Sequence, residues 1–91
     1  MPTLYIPAVL RRRTDGAMRI EVEGTTVREA LRAADARFPG LWGDLTTEGN
    51  DLRPELVVAV DDETTDDGLQ APLRPGSEIH IIPALGGGSQ G

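Results

Sequence analysis

Cysteine is missing from the 91 residues, and so is lysine. Without cysteine there are no disulfides, no thiolate metal ligands and no thiol nucleophile. The single histidine, His80, is too little for a His-based metal site or a triad with a His base, and there is no serine before Ser77. An enzyme made from this chain would have to rely on carboxylates and arginines. All nine basic residues are arginine. Lysine is the usual acceptor when a carboxyl group is joined to a protein side chain, so the chain offers only its α-amino group as a target of that kind. No apolar run approaches the ~20 residues of a membrane span, and the N-terminus has no signal-peptide pattern. A formal charge of −6 disfavours both phosphate backbones and anionic membrane surfaces. These features indicate a cytoplasmic protein with no nucleic-acid or membrane partner. The length indicates one domain with one modest core.

Thr3 to Val9 is apolar and β-prone, with Pro7 predicting a local irregularity because proline cannot donate to a ladder. Arg11, Arg12 and Arg13 fall in a polar turn that contains Asp15-Gly16, and are expected to be solvated. Met18, Ile20 and Val22 alternate with charged residues, predicting a half-buried strand that closes a hairpin with the first. Thr26 with Glu29 three residues on is a capping box. Val27, Ala30, Leu31, Ala34 and Phe38 then share one helical face, and Pro39-Gly40 stops the helix. Leu41, Trp42 and Leu45 predict a short helical turn over the core edge, with Trp42 as a lid and Leu52 beside it. Leu56 to Val60 is continuously apolar, as in a strand buried on both faces. Asp61-Asp62-Glu63 reads as a turn. Five carboxylates between Asp61 and Asp67 do not match the spacing of a calcium loop and read as a solvated acidic loop, so no metal site is expected. Pro75-Gly76 turns the chain into a last strand, in which Ile79 and Ile81 face one way and His80 and Ile82 the other. His80 is expected at the sheet surface or edge, without a catalytic role.

One helix can cover only one sheet face, and the doubly apolar segment must lie inside the sheet. The order predicts an α+β fold, a four- to five-stranded mixed sheet with one main helix at about 26–38: a β-grasp, or ubiquitin-like, domain over residues 1–85. Residues 86–91, a flexible Gly-rich tail, follow it. Gly86 to Gly91 have almost no side chains and would reach roughly 20 Å extended, at about 3.3–3.6 Å each. Glycines let such an arm thread a narrow slot.

In this order the chain resembles the MoaD/ThiS/CysO sulfur-carrier family. Ile6-Pro7-Ala8-Val9-Leu10-Arg11 is similar to the opening of CysO-type members, which also carry a proline there. Thr26-Val27-Arg28-Glu29-Ala30-Leu31 resembles the family's helix start, and Val58-Ala59-Val60-Asp61-Asp62-Glu63 its V-N-x-E strand and turn. Pro72-Leu73-Arg74-Pro75-Gly76-Ser77-Glu78-Ile79 resembles P-L-x-x-G-D-E-V, and Pro83-Ala84-Leu85-Gly86-Gly87-Gly88 the terminal P-x-V-A-G-G. Ser77 stands where the family has aspartate and Asp61 where it has asparagine. More consequentially, Ser89-Gln90-Gly91 follow the pair aligned at Gly87 and Gly88.

The resemblance implies a protein co-substrate with no catalytic residues of its own. It implies no bound cofactor; ATP is used by an E1-like adenylating partner that activates the C-terminal glycine carboxylate. Sulfide or a persulfide then leaves a thiocarboxylate, which a sulfur-acceptor biosynthetic enzyme consumes. The expected site is Gly88 with Gly87, exposed by cleavage after Gly88 that removes Ser89, Gln90 and Gly91. A JAMM-type zinc peptidase, as processes some family members, would do this. Docking on the activating enzyme is expected to use the tail plus one sheet face. A ubiquitin-like modifier joined to lysines of other proteins, and a non-catalytic β-grasp binding module, are the alternatives. The acceptor of the sulfur (cysteine, thiamin, molybdopterin or a secondary metabolite) stays open, with the front segment favouring a CysO-like carrier.

Overall fold

The computed structural model describes residues 1–48 and 50–83. Five strands, β1 (Thr3–Tyr5), β2 (Arg19–Glu21), β3 (Leu56–Val60), β4 (Glu63–Thr65) and β5 (Glu78–Pro83), form one mixed sheet in the order β2-β1-β5-β3-β4. The long helix α1 (Val27–Arg37) lies over one face and the short helix α2 (Leu41–Leu45) follows it. Two single 3-10 turns, Ala8–Leu10 and Gly68–Gln70, complete the elements of the described residues. This is the expected β-grasp, with all five strands present.

Helix α1 forms where its apolar positions recur every three or four residues. Val27, Ala30, Leu31 and Ala34 are buried against the sheet. They meet Leu4, Ile20, Val58, Ile79 and Ile81, the inward residues of β1, β2, β3 and β5. Phe38 is half-buried at the helix C-terminus. The Thr26 hydroxyl accepts from the Glu29 N–H at 3.2 Å, as a capping box requires. The returning carboxylate lands one residue earlier than the motif predicts: it accepts from the Thr25 N–H at 2.8 Å and the Thr25 hydroxyl at 3.0 Å. Helix α2 is held at its start by Asp35, whose carboxylate accepts from the N–H groups of Gly40 at 3.0 Å and Trp42 at 2.9 Å. Leu41 and Leu45 are buried, and Trp42 is a half-buried lid, with the Arg32 guanidinium 4.0 Å from its ring centroid.

β5 is the central strand, pairing β1 in parallel and β3 antiparallel. The parallel ladder starts with Thr3 N–H donating to Ser77 C=O at 2.8 Å and pairs Tyr5 with His80. Its next rung needs an N–H at position 7, and Pro7 has none. β1 therefore stops at Tyr5, short of the Val9 limit predicted from composition, and the chain enters a 3-10 turn. Met18 also departs from expectation. It lies one residue outside β2 and is 60% exposed, because pairing with β1 begins at Arg19. β3 is buried only at Val58 and Ala59; Leu56, Val57 and Val60 are half-buried. Of the three arginines expected to be solvated, two are engaged. Arg13 pairs with Asp44 through two hydrogen bonds, at 2.7 and 3.1 Å. Arg11 Nε donates to Ile6 C=O at 3.2 Å. The Arg13–Asp44 contact joins residues 31 apart in the chain, so the local pattern of charges carries no trace of it.

Candidate functional site

The residues expected to carry chemistry, Gly87 and Gly88, and the cleavage point before Ser89, lie outside the described residues. What the structure provides is the base they leave from, the Pro83 end of β5, and the surface around it. Among the described residues no helix lies over the sheet face away from α1. Tyr5 and His80, paired in register on β1 and β5, project onto that face and stack with ring centroids 4.3 Å apart and planes 8° from parallel. The Tyr5 hydroxyl makes a long hydrogen bond of 3.4 Å to the Glu78 carboxylate. Arg19 lies beyond Tyr5 on β2, and Ile82, 42% exposed, follows His80 on β5. Where β1 peels away at Pro7, a groove of about 380 Å³ opens among Tyr5, Pro7, Arg11, Met18, Arg19 and Ile82. It is an apolar patch with two cations at its border, placed beside the point where the tail begins. His80 is on the central strand and not at an edge. Among the described residues no side chain hydrogen-bonds to its stacked, half-buried ring.

The opposite end of β5 is built differently. Asp61 and Asp62 take the left-handed conformation, φ 53° and 72°, in the two-residue turn joining β3 to β4. This turns the Asp61 carboxylate onto the start of β5. It accepts from the Glu78 N–H at 2.9 Å and the Ser77 hydroxyl at 3.0 Å. The Asp61 N–H donates to the Glu78 C=O at 2.9 Å. The Ser77 hydroxyl in turn accepts from the Arg74 N–H at 2.9 Å. The Glu78 N–H, then the Ser77 hydroxyl and the nearby Arg74 charge, hold Asp61 below its ordinary pKa of 3.8. This clasp makes sense of both departures from the family pattern at once. Asp61 and Ser77 are partners, so aspartate in the turn and serine before Glu78 form one hydrogen-bonded unit. It is a structural device that fixes the β5 register, and nothing in it is placed to do chemistry.

Among the described residues no three His, Asp or Glu side chains are grouped so as to hold a metal ion. No helix among them is long and apolar enough to cross a membrane. The sequence reading missed Tyr5, Met18, Arg19 and Ile82 as the groove's lining. For Tyr5, Arg19 and Ile82 the available signal was alternation, since positions 5, 19 and 82 fall on the outward face of their strands; Met18, outside β2, carried none.

The sequence model of the ThiS family matches residues 4–88. No curated protein matches the chain by sequence. Among solved structures, the Amycolatopsis orientalis BexX/CysO complex contains a chain 31% identical, each chain covering all of the other, with a TM-score of 0.86. CysO from Mycobacterium tuberculosis is 25% identical over 92% of this chain and 99% of that one, with a TM-score of 0.85. The small archaeal modifier protein 1 of Methanosarcina acetivorans shares the fold at 21% identity, over 96% of this chain and 95% of that one, with a TM-score of 0.78. A family match running from the first strand into the glycines, on a β-grasp body whose central strand ends beside a groove, identifies the chain as a member of the ThiS family, with the ubiquitin-like fold of the sulfur carriers it resembles.

Proposed function

We propose that the protein is a sulfur carrier whose working terminus is Gly88, exposed by removal of Ser89-Gln90-Gly91. The observation that carries this reading is the extent of the family match, which runs through Gly88 and leaves those three residues beyond it. While they remain, the Gly88 carbonyl is an amide. Once freed, its carboxylate attacks the α-phosphorus of ATP in an E1-like partner and releases pyrophosphate. Sulfide then attacks the acyl carbon and AMP leaves, giving the thiocarboxylate. The activating partner supplies the good leaving group, so the carrier needs no catalytic side chain and acts as a co-substrate. The groove of Tyr5, Met18 and Ile82 is the natural docking surface for that partner, because it adjoins the start of the tail. The BexX/CysO complex supports a second partner, a biosynthetic enzyme that takes the sulfur. A zinc peptidase of the JAMM type suits the processing step.

ATP–pyrophosphate exchange with the cognate activating enzyme tests the reading. A chain stopped after Gly88 is expected to support exchange, and the chain ending at Gly91 to need the peptidase first. Equal exchange by the two chains sinks the processing step. If the activated chain then forms isopeptides with other proteins and no thiocarboxylate, the protein is a modifier.

A further inference from the structure

The sheet has two open edges, β2 and β4, and they differ in what they offer a further strand. In an antiparallel pair the backbone groups of every second residue point to the neighbouring strand, and those between point away from it. Ile6 N–H donates to Met18 C=O at 2.8 Å and Val22 N–H donates to Pro2 C=O at 2.9 Å, with Ile20 opposite Leu4 between them. Met18, Ile20 and Val22 therefore turn their backbone groups to β1. The N–H and C=O groups of Arg19 and Glu21 turn outward, and among the described residues no strand lies beyond them. Of these outward groups the Glu21 C=O is taken. Arg37, in the last turn of α1, donates to it from its guanidinium at 2.9 Å. The guanidinium stands where the N–H of an added strand would have to stand.

We propose that the β2 edge is an interaction surface for a second copy of this chain, and that Arg37 holds it closed. An unpaired strand edge is a template for association, and charge selects the occupant. Arg19 and Glu21 are both exposed, on one face of β2. A two-fold axis at Ile20 sets a second β2 antiparallel to the first, with Arg19 of each copy opposite Glu21 of the other. Opposite charges facing each other across a strand pair stabilise it, and like charges destabilise it. The same axis makes Arg19 and Glu21 the hydrogen-bonded pairs, because their backbone groups already face outward. Half of those bonds end on the Glu21 carbonyls, the groups that Arg37 occupies. The β4 edge has no such self-match. Residues 61–67 carry five carboxylates and no cation, so two copies repel there. Strand addition at β2 would cover Met18 and Arg19, so the closed edge also keeps that side of the groove exposed.

Sedimentation velocity over a concentration series tests this on the chain alone. No activating enzyme is needed, so the outcome is separable from that of the carrier reading. Wild type is expected to stay monomeric at concentrations where Arg37→Ala is mostly dimer, a difference of at least about tenfold in dissociation constant. Arg28→Ala makes the same change of charge on the same helix and is expected to behave like wild type. Adding Arg19→Glu to Arg37→Ala sets like charges opposite each other and should abolish the dimer. Adding Glu21→Arg to that pair exchanges the charges and should restore it. Amide hydrogen exchange should slow at positions 19 and 21 in the Arg37→Ala dimer. Circular dichroism confirms that each variant is folded. An Arg37→Ala chain that sediments like wild type, or a dimer indifferent to the charge exchange, overturns the proposal. So does a wild-type dimer as tight as that of Arg37→Ala.

Discussion

Ile79 and Ile82 are three residues apart on the same strand and face opposite ways, so one substitution made at both sites tests how the sheet is placed. Threonine keeps the β-branched shape that suits a strand and exchanges apolar bulk for a hydroxyl. At Ile79, fully buried between α1 and the sheet, it removes apolar burial, leaves a void and strands a hydroxyl in the core. Those effects together cost about 3–5 kcal/mol. At Ile82, 42% exposed, the hydroxyl stays in water and the void does not form, so the cost is below about 1 kcal/mol. A chain of this size has about 5–14 kcal/mol of stability at roughly 0.05–0.15 kcal/mol per residue, so the first change removes a large share and the second a small one. Urea unfolding followed by the fluorescence of Trp42, the one tryptophan, reads both. Pyrophosphate exchange reads the other half of the argument. Ile82→Thr should remain folded and raise the concentration of carrier needed for half-maximal activation, because the groove beside the tail has lost its apolar edge. Equal stability losses at the two positions would refute the facing assigned to β5. An Ile82→Thr chain activated like wild type would refute the docking role of the groove.

Stability should decline in acid. Glu29, through the Thr25 N–H and then the Thr25 hydroxyl, and Asp61, through the Glu78 N–H and then the Ser77 hydroxyl, both bind protons more weakly folded than unfolded. Their contribution is complete above the ordinary values of 4.5 and 3.8 and is lost as pH falls through the lowered folded ones; urea midpoints between pH 2 and 6 should follow, with a shallower slope in Asp61→Asn. Thr26→Ala removes the cap on α1 and should cost about 1 kcal/mol by the same denaturation assay. Gly40 has φ 103° and its Cα faces the Arg13 guanidinium, which an added Cβ would meet at 2.8 Å. Gly40→Ala should therefore lose about 1–3 kcal/mol, with only part of it recovered in Gly40→Ala/Arg13→Ala, because the backbone strain remains.

The elements with a local cause were legible from the residues. The 3.6-residue spacing from Val27 to Ala34 and the Thr26–Glu29 pair place α1, and alternation from Ile79 to Ile82 gives the two faces of β5. The strand end at Pro7 was legible as a disturbance but not as a boundary, because its effect depends on which β5 carbonyl it fails to reach. The Asp61–Ser77 clasp, the Arg13–Asp44 pair and the Tyr5–His80 stack were not legible. Each joins residues brought together only by the sheet order or by the turn from α1 into α2, and no nearby residue marks the partner. The same holds for the groove, whose lining comes from three strands and one loop. For Gly87 and Gly88 the sequence carried the argument, by glycine content and by resemblance.

The position of β5 also has a mechanical consequence. A pull on the tail is transmitted to Pro83 and runs along the strand axis, with rungs to β1 on one side and to β3 on the other. Under such a load the hydrogen bonds of both ladders are strained together in shear, whereas an edge strand drawn sideways gives up its bonds one after another. A load applied through Pro83 is therefore shared by two ladders, and the strand yields when both give way.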